Sequence, residues 1–234
     1  MGEKNRVIGD MGKIYFDLNV IQDEHYSFFT YTKEIDGYIE RNRKEVAYTD
    51  TIINFLRKIF ANNYITVDDV STHNKSNENK YKHTIKPYCG ELGSPDLLIA
   101  KNMIWSNIGQ RAKEIEYLAT VEIKTPYVEY TSDKNKKQLI SHLNADEINR
   151  VIFTNCFSWH FFDEGSTCSK GDLKPIKSYN FKKTNGEWVS NRKKPDEFIA
   201  ELLTSDEYLE CEPDEWLSLI MYLKEFVLGS EQAD

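Results

Sequence analysis

Apolar residues recur along this chain in two rhythms, one helical and one strand-like. Ile39, Val46, Ile52, Phe55, Leu56, Ile59 and Phe60 keep a helical spacing and predict one helix over 39–60. The run YITVDDV (64–70) predicts a strand, and KIYFDLNVI (13–21) an opening strand; EHYSFFTYT (24–32) is aromatic and too short to assign. The segment STHNKSNENKYKH (71–83) has no core-forming capacity and reads as a polar loop. Two short apolar runs follow, at 96–101 and 117–123, with an insertion between them that contains Trp105 and Arg111.

The second half alternates again. KKQLISHLNADEI (136–148) predicts a helix, RVIFTN (150–155) a buried strand and SWHFFDEG (158–165) a further strand. Asn185-Gly186, between two β-like runs, signals a hairpin. PDEFIAELL (195–203) and PDEWLSLIMYLKEFVL (213–228) open with Pro and acids, as first turns of helices prefer. The pattern is that of a mixed α/β domain, with the hairpin and last helices as decoration.

With 234 residues and 40% hydrophobic content, the chain can bury one good core, so residues 1–234 are expected to form a single domain. No run of about 18 apolar residues is present and the start lacks the apolar middle of a signal peptide, which together point to a cytoplasmic protein without a membrane partner. Cys89, Cys156, Cys168 and Cys211 are scattered without a C-x-x-C pair, as expected of reduced structural thiols. A formal charge of −8 argues against a general nucleic-acid coat protein. It leaves room for local basic patches, and Arg43, Lys44, Lys136 and Lys137 are candidates for phosphate contact.

Pro-Asp occurs at 95–96, 195–196 and 213–214, and the last two are accounted for by helix initiation. Only Asp96 precedes an apolar strand-like run. Glu-x-Lys occurs at 78–80, in the polar loop, and at 122–124, within a strand-like run. Because side chains alternate along a strand, Glu122 and Lys124 project together while Val121 and Ile123 pack on the other face. If the two runs pair as a hairpin, Asp96 faces the end of the second strand beside Glu122. Two carboxylates so placed suit Mg²⁺ or Mn²⁺, and Lys124 beside them suits charge neutralisation at a phosphate.

Asp96, followed after 122 − 96 = 26 residues by Glu122-Ile123-Lys124, resembles the motif of the PD-(D/E)XK nuclease superfamily, nearest to type I and type IV restriction nuclease domains. The resemblance covers about residues 38–165. It implies a restriction-endonuclease-like mixed sheet of about four to five strands flanked by helices, and metal-dependent cleavage of DNA in restriction or defence. It also implies an upstream metal-associated carboxylate at Glu45 and an auxiliary Gln138, with His142 where such families carry Tyr and where it would contact substrate. Two alternatives stay open: a catalytically silent binding or interaction module that keeps the fold, and an RNA nuclease. One such site cuts one strand, so a two-strand break requires a homodimer or two events.

Overall fold

A computed structural model describes residues 26–61, 64–72, 88–102, 115–166, 173–189 and 212–229. The expected opening strand at 13–21, the insertion at 103–114 and the helix at 195–203 lie outside the described residues.

The helix expected over 39–60 is two helices, α1 (Phe28–Glu40) and α2 (Glu45–Ile59). The sequence breaks them at Arg41–Lys44, where Asn42 takes a φ of 47°. Asn tolerates that left-handed conformation and continuing helices do not. The α1 helix grows out of the aromatic run that resisted assignment. Ser27 caps it, its Oγ accepting from Thr30 N at 3.0 Å, and Phe28, Tyr31, Thr32 and Ile35 bury one face. The α2 helix carries Glu45 in its first turn and Arg57 and Lys58 in its last, charges placed to complement the helix dipole.

Six strands form one sheet whose spatial order is the chain order: β1 (Ile65–Asp69), β2 (Leu97–Lys101), β3 (Glu116–Ile123), β4 (Val151–Thr154), β5 (Ser158–Phe162) and β6 (Lys177–Asn180). All neighbours are antiparallel except β3 and β4, which run parallel and are connected through α3 (Asp133–Leu143). The strand count exceeds the expected four to five because the C-terminal hairpin contributes β6 to the sheet. That hairpin turns at Asn185-Gly186, with Gly186 at φ +83° and a bridge between Lys182 and Trp188.

The sheet lies between two helical layers. On one face Val121, Ile123, Leu97, Ile99, Ile152, Trp159 and Phe161 pack with α1, α2 and the last helix, α4 (Asp214–Leu228). On the other, Val151, Phe153 and Phe162 pack with Leu139 and Leu143 of α3. The α4 helix packs on the core, as expected of the C-terminal decoration, and belongs to it. Its Trp216 is fully buried, stacks on Phe55 at 4.6 Å and donates from Nε1 to Tyr26 O at 3.0 Å. Removing such a side chain from a core typically costs about 3–5 kcal/mol.

Candidate active site

Asp96 and Glu122 meet where β2 begins and β3 ends. The register pairs Leu97 with Val121, and Asp96, the residue before that pair, donates from its N to Val121 O at 3.1 Å, which sets it at the end of β3 beside Glu122. A register irregularity in this strand pair falls at Ile99/Ala100, on the far side from the site, and leaves this alignment intact. Asp96 is fixed in place by Ile123 N, which donates to its Oδ2 at 2.7 Å.

Glu122 is 1% exposed, and each carboxylate oxygen has a partner. Lys124 Nζ donates to Oε1, and His142 Nε2 lies 3.1 Å from Oε2. A carboxylate oxygen accepts, so Nε2 is the donor in this contact. The His142 Nδ1 is buried without a partner among the described residues, as is the Thr120 hydroxyl two positions before Glu122 on the same strand face.

Lys124 also reaches Glu45 Oε1 at 3.8 Å, which joins the first turn of α2 to the strand ends. Burial works against its charge, but Glu122, through both Coulomb attraction and the hydrogen bond, together with Asp96 and Glu45, outweighs it and holds the ammonium above the usual lysine range. Asp96 is pushed toward its neutral form. Burial first, then the Glu122 charge, raise its pKa to about 7, against the opposing Ile123 hydrogen bond and Lys124.

The structure thus brings Asp96, Glu122, Lys124, Glu45 and His142 into one cluster at one end of the sheet. His142 was expected to touch substrate. Its ring is 0% exposed and turned onto Glu122, a position that orients the carboxylate and is closed to an incoming phosphate. Gln138 stands one turn earlier on the same face of α3, half-buried. Lys136 is half-buried and Lys137 exposed on α3; Arg43 and Lys44 are exposed immediately before Glu45. A surface depression lined by Tyr26, Glu34, Arg57 and Lys58 includes none of the cluster residues.

Sequence reasoning missed the direct His142–Glu122 contact, since the i, i+4 spacing of Gln138 and His142 gives a shared helix face but not what that face packs on. Among the described residues no three His, Cys, Asp or Glu side chains form a metal-binding group. Comparison with known proteins returned no matching family model, no matching curated protein and no matching solved structure.

Proposed function

We propose that this chain is a metal-dependent nuclease that hydrolyses phosphodiester bonds of DNA, built on a restriction-endonuclease-like fold. The observation that carries the reading is Asp96, just before β2, set beside Glu122 at the end of β3 with its Oδ2 accepting from Ile123 N, and Lys124 bound to Glu122. The order helix, three-stranded antiparallel meander, helix, parallel strand supports the fold assignment.

The donor chemistry fits a hard divalent cation. Asp96, Glu122 and Glu45 outnumber the one cation beside them, Lys124, and burial with the Glu122 charge raises the Asp96 pKa to about 7, so Mg²⁺ or Mn²⁺ would supply positive charge that the cluster is short of. Two protein carboxylates with water and substrate oxygens completing the shell are the usual Mg²⁺ arrangement, so a third acidic ligand is not required. Asp96 and Glu122 would hold the ion, with Glu45 reaching its waters. When bound, the ion polarises a phosphoryl oxygen and makes bound water more acidic.

The chain's own residues do the rest. Ile123 N–H fixes Asp96, and His142 fixes Glu122. Protonated Lys124 stands beside the carboxylates, where it neutralises charge developing on the phosphate oxygens. Full engagement of Glu122 by Lys124 and His142 also favours a second reading, a silent module in which these charges only satisfy one another. Incubation with supercoiled plasmid, linear duplex, single strands and RNA, each with Mg²⁺, Mn²⁺ or EDTA, separates the two. Cleavage that needs metal and vanishes in Asp96→Asn is the expected result. Absence of cleavage of every substrate by folded wild-type protein would support the silent module.

A further inference from the structure

Tyr127 is a large aromatic side chain left 74% exposed three residues beyond Lys124. Its place is fixed by local structure. Val128 N donates to Thr125 O at 3.2 Å, closing a turn over Thr125–Val128 with Pro126 and Tyr127 in the middle. Tyr127 has a φ of 72°, and proline cannot adopt positive φ, so the turn is of type II, whose third residue is ordinarily Gly or Asn. A tyrosine there is strained backbone.

The ring gains little from burial in return. Strands β3 and β4 leave the sheet together, with Lys124 N bonded to Thr154 O at 2.9 Å, and three residues on from each, Tyr127 meets Phe157 edge to face at 4.9 Å. Asn155 Nδ2 holds the turn by donating to Val128 O at 3.0 Å. One edge of the tyrosine is thereby steadied while most of the side chain stays open to solvent. Three residues span at most about 10 Å, the axial rise of about three stacked nucleotides, so the ring stands within reach of a strand lying across Lys124.

We propose that Tyr127 is a stacking platform for an unpaired base of the substrate, so that the site takes nucleic acid single-stranded or locally unpaired next to the scissile phosphate. This deepens the nuclease reading and rests on it. Every base has a π-face, so such a platform selects unpaired strands without selecting sequence. Buried duplex bases do not present that face.

The test measures binding of a fluorescein-labelled single-stranded oligonucleotide and of the matching blunt duplex to the full chain, in Ca²⁺ to hold the complex without turnover. Tyr127→Ala and Tyr127→Gly should weaken single-strand binding by about 5- to 150-fold, the range that loss of one stacked base gives. Tyr127→Phe and Tyr127→Trp should stay within about threefold of wild type. Tyr127→Gly should at the same time keep or raise the melting temperature, because glycine relieves the positive φ, so its binding loss cannot come from unfolding. Unchanged single-strand affinity in the Ala and Gly variants of a wild-type protein that binds and cleaves would overturn the platform alone. A wild-type protein that neither binds nor cleaves either oligonucleotide overturns the nuclease reading and the platform with it.

Discussion

His142 Nε2 lies 3.1 Å from Glu122 Oε2, and the two side chains are 0% and 1% exposed. A buried carboxylate that loses a hydrogen-bond partner keeps its desolvation cost. His142→Ala is therefore expected to destabilise the fold by about 2–4 kcal/mol in urea denaturation. His142→Gln, which can return an N–H to Glu122, should recover part of that loss and part of the cleavage rate. If both variants cleave like wild type, His142 is packing only.

Asp96→Asn separates chemistry from stability. Asn can still accept from Ile123 N–H, while the charge that burial and Glu122 disfavour is gone. In EDTA at pH 8 the variant should be more stable than wild type by on the order of 1–3 kcal/mol. Cleavage should be abolished, and the rise in melting temperature that Mg²⁺ gives the wild type should disappear. A variant that cleaves, or that Mg²⁺ still stabilises, removes Asp96 from the metal site.

Lys124 and Glu122 should behave as a coupled pair. Lys124→Met alone leaves a buried carboxylate without its cation and should cost about 3–5 kcal/mol; adding Glu122→Gln should restore much of that. Neither variant should cleave. Additive stability losses across the double-mutant cycle would contradict the coupling.

Glu45 lies beside Lys124, and Gln138 stands one turn before His142 on α3. Glu45→Ala and Gln138→Ala should each slow cleavage by about one to three orders of magnitude, the loss of a positioning group worth roughly 1.4–4 kcal/mol in the transition state. Single-turnover rates with wild-type-like folding decide this. Glu45 has the firmer geometric basis, 3.8 Å from Lys124.

Glu212 gives a pH effect remote from the site. Both its oxygens accept from Phe28 N, at 3.2 and 3.0 Å, where α1 begins. Burial nonetheless raises its pKa from 4.5 to about 7. A raised carboxyl pKa favours the protonated fold, so this contribution is complete below about pH 4.5 and is lost as pH rises through about 7. Glu212→Gln should match wild type near pH 4.5 and exceed it by about 2 kcal/mol at pH 8, with cleavage unchanged. Parallel melting curves across that range would refute the shift.

The strand pair that carries Asp96 and Glu122 was legible in the sequence because two short apolar runs each ended on charge, and alternation fixed which residues share a face. Helix α3 was legible from Leu139 and Leu143. Helix α1 was not, since Thr, Gly and aromatics are poor helix formers; Ser27 capping and burial of Phe28, Tyr31 and Ile35 override that propensity. The α1–α2 break escaped because the apolar spacing of Ile39 and Val46 runs across it. Val46 is in fact exposed, so that periodicity was coincidental. The His142–Glu122 contact depends on how far α3 is set over the sheet, which no local pattern encodes.

Strand order that follows chain order has a consequence for assembly. Each strand finds its partner in the strand made just before it, so no pairing has to bridge an intervening strand. Glu45, Asp96, Glu122 and Lys124 all precede α3, whereas His142 comes with it. On a ribosome the acidic pair is synthesised before the helix that shields it. Nascent chains stalled with α3 still in the exit tunnel are expected to expose the Glu122 face to solvent, and release of α3 should close it, which amide exchange of β3 in the two stalled lengths would record.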